Sequence, residues 1–344
     1  MAALKKFVEL AKEDDVDKIE HLFSENPGLF GFSDPQMEQT VLHYAAGIGG
    51  PKTTKWLLSQ QNTPKDAVDT NGRTAFHIAA LNGRTSVIYV LLDDKTVDLH
   101  ARDHEGFTAL HLATRAGKFE VCQQLVEAET PDVNARDEEV KTALHHAVNF
   151  NRLEIAELLI TKSKIDTNAR DDFRETAFDK VAKSGTPEMC DIFIKHGKAW
   201  AVRHDGYTAV HTASYYGNID FLLKLFARRG NDCFYAVDCH GRTPLDEAFL
   251  GVSMKKDKDK VLDLFVQIYV MDGKYEECFD RCKRYGDFGR AQRCLELHCI
   301  ESRTKAIEAL RSRQMSEKSF EDEGFLMSSP QSKGILHCKT DWIM

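Results

Sequence analysis

The sequence repeats itself with a period close to 34 residues, and this repetition constrains the fold more than any other feature. Seven threonines stand at equivalent points, with successive spacings of 34, 34, 34, 34, 32 and 35 residues: Thr40, Thr74, Thr108, Thr142, Thr176, Thr208 and Thr243. Steps this regular indicate stacked supersecondary units, because no single unit of that length can bury its apolar face alone.

The second repeat shows what one unit contains. The stretch TAFHIAALNG begins at Thr74, whose hydroxyl can cap a helix, and ends at Gly83, where a left-handed residue can terminate it. Asn71 and Gly72, just upstream, are typical of a tight hairpin turn. A second set of apolar residues at helical spacing follows the glycine: Val87, Leu91 and Leu92. Each unit is therefore predicted to be a hairpin turn, a short helix, a turn and a second helix.

This pattern resembles the ankyrin repeat, whose signature is T-P-L-H-x-A at a period near 33 residues. The resemblance covers roughly residues 34–250 and includes an aspartate five residues before five of the threonines: Asp69, Asp103, Asp137, Asp171 and Asp238. It implies an all-α solenoid of stacked ankyrin repeats, each a helix-turn-helix with a β-hairpin finger, closed by helical caps.

Several repeats depart from the signature. Only the seventh has the proline, Pro244, and the fifth and seventh carry Asp179 and Asp246 in place of histidine. The turn glycine is replaced in the first, fourth and fifth repeats by Glu38, Val140 and Arg174. Since these positions favour glycine, we expect distorted hairpins there.

The ends of the array are predicted as follows. Residues 1–33 form an N-terminal helical capping repeat, and residues 34–270 hold seven repeats with a charged insertion at 252–260, after which the second helix resumes at Val261. Residues 271–314 form a C-terminal helical cap. Gly286, Ala291, Cys294 and Leu295 fit a degenerate eighth repeat, with a helical hairpin of another kind as the alternative. A last helix is expected at roughly 301–313 and a disordered tail at 315–344.

The repeated histidines are better explained as structural ties than as a metal site. They are His43, His77, His111, His145 and His211. Neighbouring ones lie one repeat apart, about 10 Å in a stacked array, whereas zinc ligands lie about 2 Å from one ion. The ankyrin resemblance implies that each histidine bonds its own threonine and the adjoining loop backbone.

Cysteines near the C-terminus form a second candidate cluster. Cys278, Cys282, Cys294 and Cys299 have a C-x3-C-x11-C-x4-C spacing, and Cys278 and Cys282 lie one helical turn apart. Cysteine is also a frequent small core residue, so this spacing is a weak indication of metal. No nucleophile motif, phosphate loop or carboxylate pair stands out. We therefore expect no enzymatic activity and no cofactor.

Composition limits the partners. The net charge of −8 argues against general binding to nucleic acid or to anionic membranes. No apolar stretch is long enough to span a bilayer, and the start does not resemble a secretory signal. Nine scattered cysteines favour reduced thiols. We expect a monomer in the cytoplasm or nucleus.

Ankyrin-like proteins bind partner proteins through finger tips and first helices on the concave face. Residues four, three and one before each threonine, and seven and eight after it, are expected to be exposed there. Aromatic and arginine side chains dominate interface hot spots. The candidate contact residues are Arg73, Leu81, Asn82, Phe107, Arg115, Phe150, Phe173, Tyr207, Tyr215, Tyr216 and Arg242. Some of these rings could instead pack on a neighbouring finger.

Three residues are candidates for modification. Asn134 and Asn168 lie in VNARD and TNARD, a context similar to that of asparagines hydroxylated in ankyrin proteins, although such asparagines also tie hairpin turns. Ser329 lies in SSPQS and could accept phosphate.

The sequence is best interpreted as a non-enzymatic adaptor or scaffold that binds protein partners reversibly. One alternative is a metal- or redox-responsive regulator that uses the C-terminal cysteines. Another is a substrate-receptor subunit of a ubiquitin ligase, which rests on family analogy.

Overall fold

The computed structural model describes residues 2–128, 132–162, 164–196, 206–251 and 255–321. Their regular structure is helical: strand-like pairing within these ranges is limited to bridges between Ser33 and Thr40 and between Arg170 and Thr176. The all-α class is thus confirmed, with fingers built as turns. The α-helices are α1 (Ala2–Glu13), α2 (Val16–Glu25), α3 (Val41–Ile48), α4 (Pro51–Ser59), α5 (Ala75–Asn82), α6 (Thr85–Asp93), α7 (Ala109–Ala116), α8 (Phe119–Glu127), α9 (Ala143–Asn149), α10 (Leu153–Thr161), α11 (Ala177–Ser184), α12 (Pro187–His196), α13 (Ala209–Tyr216), α14 (Ile219–Arg229), α15 (Pro244–Leu250), α16 (Lys255–Met271), α17 (Tyr275–Arg284) and α18 (Phe288–Glu321).

The chain divides into two compact units, Met1–Phe265 and Val266–Met344. In the first unit, the first helices of successive repeats pack on one another in the order α3, α5, α7, α9, α11, α13 and α15. The second helices, from α4 to α14, form a parallel layer. Paired alanines such as Ala79 and Ala80 are fully buried between these layers, where their small size lets the helices approach closely.

Each first helix begins after its threonine and in most repeats ends at a left-handed residue nine positions later. Gly83 and Gly117 take φ values of 73° and 71° there. In the fourth repeat Asn151 occupies this position with φ 51°, so Phe150 directly precedes the turn. Asparagine tolerates this conformation better than most residues, which explains how the fourth repeat keeps the turn without glycine.

The fourth and fifth fingers keep the same backbone without glycine, so the expectation that they are distorted is wrong. The first finger does differ, because it is one residue longer: the Glu38 N–H donates to the Asp34 carbonyl four residues earlier, where the other fingers span three. Glu38, Val140 and Arg174 take φ values of 57°, 59° and 60°, close to the 77° of Gly106 in the third finger. The closing hydrogen bond also persists: the Val140 N–H donates to the Asp137 carbonyl at 3.0 Å. These side chains occupy a conformation that glycine adopts at lower cost.

The ends of the array differ in part from the prediction. Helices α1 and α2 form a fingerless pair, and the Asp14 carboxylate between them accepts hydrogen bonds from the Lys52 and Thr53 N–H groups at the start of α4. Helix α16 begins at Lys255, six residues earlier than the expected resumption at Val261. Residues 252–254 of the predicted insertion lie outside the described ranges.

The second unit contains α17 and α18, which pack against each other across a left-handed Gly286 (φ 75°). The short α17 and this glycine fit the eighth-repeat alignment, but α18 is far longer than the second helix of any ankyrin repeat here. It runs unbroken from Phe288 to Glu321, so the separate helix expected at 301–313 is wrong and residues 315–321 are helical. The rest of the predicted tail lies outside the described residues.

Candidate functional site

The five repeated histidines join each repeat to the next. In the first repeat the Thr40 N–H donates to His43 Nδ1 at 3.1 Å, and His43 Nε2 lies 2.8 Å from the carbonyl of Arg73 in the next finger. A backbone N–H can only donate and a carbonyl can only accept. The ring must therefore be neutral, with its proton on Nε2. The same tie reaches the carbonyls of Phe107, Lys141, Glu175 and Arg242.

Burial reinforces this protonation state. Desolvation lowers the pKa of His43 and His77 below the usual value and lowers the pKa of His111 and His145 to about 4. With both ring nitrogens occupied, the structural interpretation of these histidines is confirmed.

An open cleft of about 290 Å³ lies between the third and fourth repeats. It is called the Phe107 cleft below. Two fingers and the ends of two first helices line it: Glu105, Phe107, Arg115, Asp137, Glu138, Glu139, Lys141, His146, Asn149 and Phe150. Three of the candidate contact residues, Phe107, Arg115 and Phe150, therefore meet at one place.

Arg115 and three rings form the apolar part of the Phe107 cleft. The Arg115 guanidinium carbon lies 4.5 Å from the ring centre of Phe107 and 5.5 Å from that of Phe150. The His146 ring meets Phe107 edge to face at 5.4 Å and stacks on Phe150 at 6.2 Å. Phe107 is only 6% exposed, so its expected exposure is wrong because His146 and Arg115 cover it. Phe150 remains 43% exposed.

A buried polar pair lies beneath these rings. His146 Nε2 lies 2.7 Å from Asp137 Oδ2, and Asp137 Oδ1 accepts the N–H groups of Glu139 and Lys141. Burial acts to raise the pKa of Asp137, but the His146 and Lys141 hydrogen bonds outweigh it and the pKa is lowered. Within the described part of the chain, His146 Nδ1 is buried without a hydrogen-bond partner.

The rim of the Phe107 cleft is acidic. Four carboxylates line the cleft against two cationic side chains. Arg115 pairs with Glu105 at 3.6 Å, and Lys141 pairs with Glu139. The excess of carboxylates gives the cleft a negative field that attracts cationic groups.

Sequence reasoning missed His146 and its equivalents four residues after the threonine. This position faces the finger aspartate of the same repeat: Lys180 Nζ lies 2.6 Å from Asp171 Oδ2, as His146 lies against Asp137. In the seventh repeat Glu247 takes this position and pairs with Arg242 at 3.1 Å. The signal was present, since the first three repeats have Tyr44, Ile78 and Leu112 there and later repeats have polar residues.

The three tyrosines among the candidate contact residues have different surroundings. The Tyr207 ring stacks on His211 at 4.8 Å and its hydroxyl donates to Glu247 at 3.2 Å, so Tyr207 is held within the array. Tyr215 and Tyr216 are half-buried and meet edge to face at 5.1 Å, with Lys183 4.8 Å from the Tyr216 ring centre. Only this pair still resembles a contact surface.

The remaining candidates are scattered. Arg73 and Arg242 pair with Asp103 and Asp238 respectively, which engages both in the fingers. Leu81 is half-buried and Asn82 is exposed at the end of α5. Phe173 is 69% exposed at the tip of the fifth finger.

The comparisons with known proteins agree with this architecture. A family model described as ankyrin repeats (3 copies) matches residues 7–103 and 95–171. No curated protein matches the sequence. The crystal structure of the ankyrin repeat domain of Bcl-3, a unique member of the IkappaB protein family, has a TM-score of 0.55 and 24% identity, and the match covers 65% of this chain and 98% of that domain. The chain therefore contains ankyrin repeats, which the family model places within residues 7–171.

Ankyrin repeats generally mediate protein–protein interaction and are typically non-enzymatic. Among the helices that the structure describes, none is both long and apolar enough to cross a membrane.

The two candidate modified asparagines have different surroundings in the ankyrin array. Asn134 Nδ2 donates to the Lys164 carbonyl and Oδ1 accepts the Asp166 N–H, both at 2.7 Å, which supports its role as a tie between loops. Asn168 is exposed. Hydroxylation of either stays a prediction. Ser329 lies outside the described residues.

Three of the four C-terminal cysteines converge. Cys278, Cys282 and Cys294 are buried with their sulfurs together, whereas Cys299 is exposed on α18.

Proposed function

We propose that this protein is a non-enzymatic adaptor that binds an extended segment of a partner protein along its fingers and first helices. The Phe107 cleft is the anchor point of this surface. One observation supports this assignment most directly: within an open cleft, Arg115 lies over the buried Phe107 ring and beside the half-exposed Phe150 ring.

The chemistry of the Phe107 cleft favours a particular kind of segment. An apolar side chain can pack on the exposed face of Phe150, because that ring is already held in place by His146. A neighbouring lysine or arginine can meet Glu138, which is exposed at the rim. The partner segment is therefore apolar with a basic neighbour. We place the complex in the cytoplasm or nucleus, as the scattered cysteines of the chain favour.

The test uses a photo-crosslinking amino acid, p-benzoylphenylalanine, placed at Phe150 in the full chain. The matched control places it at Tyr89, which is 70% exposed on the second-helix layer. We expect cross-links to discrete proteins from Phe150 only, and their loss on Arg115→Glu substitution. Equal cross-linking from both positions, or none from Phe150, would contradict the assignment.

Affinity provides a second measure once a cross-linked segment has been sequenced. Phe150→Ala should weaken its binding at least roughly tenfold, the range of an interface hot spot. Circular dichroism should show unchanged helical content, because Phe150 lies at a helix end and is partly exposed.

A further inference from the structure

Three cysteine sulfurs meet inside the second unit. Cys278 and Cys282 lie one turn apart on α17, and Cys294 approaches them from α18. All three side chains are fully buried, and their sulfurs lie within 4.8 Å of one another. The Cys278 and Cys294 sulfurs are 3.2 Å apart.

These distances fit a shared metal ion better than a disulfide. Thiolates about 2.3 Å from a tetrahedral zinc ion lie about 3.8 Å from one another. That spacing exceeds the 3.2 Å between the Cys278 and Cys294 sulfurs and is within the 4.8 Å that bounds all three sulfur pairs. A disulfide requires about 2.05 Å between sulfurs. The three sulfurs are therefore already close to the spacing that a single ion imposes.

Ordinary core packing does not explain this convergence. The ankyrin core of this chain uses buried cysteines singly: Cys122 lies against the Thr114 hydroxyl, and Cys190 lies near the Gly185 carbonyl. Among the described residues, Cys278, Cys282 and Cys294 are the one group of three metal-binding side chains that share a point.

We propose that Cys278, Cys282 and Cys294 form a tris-thiolate site for one thiophilic d10 metal ion. Soft thiolate ligands select zinc and monovalent copper over harder cations. Binding replaces the three S–H bonds by three sulfur–metal bonds and releases three protons to solvent, with no change of oxidation state. With zinc a water molecule completes the tetrahedron, and with monovalent copper the three sulfurs suffice.

The site would link α17 to α18 near the Gly286 turn. Two ligands from one helix and one from the other fix both the separation and the rotation of the pair. Metal binding is thereby coupled to the stability of the second unit, as in other small metal-stabilised folds. This inference does not depend on the adaptor function proposed above.

The experiment titrates the reduced, metal-free full chain with Co²⁺ under anaerobic conditions. We expect about one equivalent per chain, with thiolate-to-cobalt charge-transfer bands in the near ultraviolet and displacement by Zn²⁺. A parallel titration with Cu⁺ identifies the ion: uptake of Cu⁺ alone would assign a trigonal copper site on the same ligands.

Variants locate the ligands. Cys294→Ser should abolish the charge-transfer bands, and so should Cys282→Ala. Alanine is chosen at position 282 because the first helices of the ankyrin repeats carry alanine at the aligned position. Cys122→Ser and Cys299→Ser, the matched controls, should retain them. Amide exchange should slow on metal addition within residues 275–300 of the wild-type chain only.

Two results would overturn the proposal. One is the absence of metal uptake at micromolar concentrations by the reduced wild-type chain. The other is uptake that survives in both Cys294→Ser and Cys282→Ala. The proposal would also be contradicted if the protein, purified in reducing buffer, held a stable Cys278–Cys294 disulfide and took up no metal.

Discussion

At the scale of single residues, the five repeat histidines act as neutral two-sided connectors. Each accepts a hydrogen bond at Nδ1 from its own threonine N–H and donates at Nε2 to the next finger, as His77 does to the Phe107 carbonyl at 3.0 Å. Protonation would place a second N–H where an acceptor is required. The array should therefore be sensitive to mildly acidic conditions.

We predict that the protein loses stability as pH falls from 7.5 to 5. The folded pKa of His111 and His145 is about 4, below the value near 6.5 of an unfolded chain, so the unfolded state binds more protons in this window. Each of the two should cost about 2 kcal/mol at pH 5, with full stability regained above the unfolded pKa. Thermal unfolding at several pH values measures this.

The control is the double variant His111→Asn, His145→Asn, which keeps an acceptor near the threonine N–H and does not titrate. Its melting temperature should depend less steeply on pH. An unchanged slope would show that other groups cause the acid sensitivity.

Backbone conformation at Val140 gives a second prediction at this scale. Val140 is a β-branched residue with φ 59°, a conformation that costs a non-glycine residue about 1–2 kcal/mol. After the greater flexibility of unfolded glycine is subtracted, Val140→Gly should stabilise the protein by about 0.5–1 kcal/mol. Urea unfolding would detect this gain.

The reverse change, Gly106→Val, serves as the matched control in the neighbouring finger. Its Cβ would lie 2.8 Å from the Glu138 backbone nitrogen, so it should destabilise the fold. If Val140→Gly is neutral or destabilising, the strain assigned to this turn is absent.

At the scale of helices, polar side chains from one repeat complete the helix ends of its neighbour. Arg84 Nε donates to the Gly47 carbonyl, and Arg152 donates to the Arg115 carbonyl. Each arginine thus supplies a hydrogen bond to a carbonyl near the C-terminal end of the first helix of the preceding repeat. Asp14 does the equivalent at an N-terminus: its Oδ1 accepts both the Thr53 N–H and the Thr53 hydroxyl at 2.8 Å. These contacts couple helices that local sequence alone would leave incompletely capped.

We predict that Asp14→Ala weakens docking of the α1–α2 pair by about 1–2 kcal/mol, the usual cost of losing a helix N-cap. Amide exchange in α1, α2 and the start of α4 should accelerate. Glu20→Ala, which removes an exposed carboxylate from the same pair, should leave exchange unchanged. If the two variants have equal effects, the change in net charge, and not the loss of the Asp14 hydrogen bonds, explains the faster exchange.

At the scale of the whole molecule, a repeat array is stabilised by each unit and its nearest neighbours. Phe178 exemplifies the connection between the fifth and sixth repeats, because its ring lies 5.8 Å from Phe193 and 5.3 Å from Phe221. A defect at such a point should divide the array into segments that unfold separately.

We predict that Phe178→Ala, at a cost of about 3–5 kcal/mol, accelerates amide exchange in α11 to α14 far more than in α3 to α8. Exchange measured by mass spectrometry in low urea tests this segment by segment. Uniform acceleration across all seven repeats would show that the array unfolds as one cooperative unit.

The sequence predicted the periodic features well, because repetition itself carries the information. Thr-x-x-His at fixed spacing predicted the helix starts and the structural use of histidine. The Phe107 cleft was only half predicted, since its pieces Phe107, Arg115 and Phe150 were identified but His146 was not. Its role depends on a partner, Asp137, nine residues away across a turn.

Errors arose where the period ends. Helix α18 was expected to stop early, although residues 290–321 contain neither glycine nor proline to interrupt it. Phe107 was expected on the surface because its position in the repeat is nominally exposed. The burial of such a residue depends on its own size and on the side chains of the neighbouring repeat. An alignment of the repeats shows neither effect, because it treats the position as equivalent in every repeat.

The histidine connection also gives the array a direction. A repeat with histidine leaves an N–H that only a following finger can satisfy, whereas Asp246 in the seventh repeat holds the Thr243 N–H at 2.8 Å with a carboxylate that carries no such proton. A histidine repeat is thus an unfinished unit that requires a successor. The two aspartate repeats close their own helix starts without one: the fifth, where Asp179 accepts the Thr176 N–H, is followed by another repeat, and the seventh is the last of the series. Copies of the second or third repeat inserted internally would lengthen this protein most simply, because each would find a following finger for its histidine N–H.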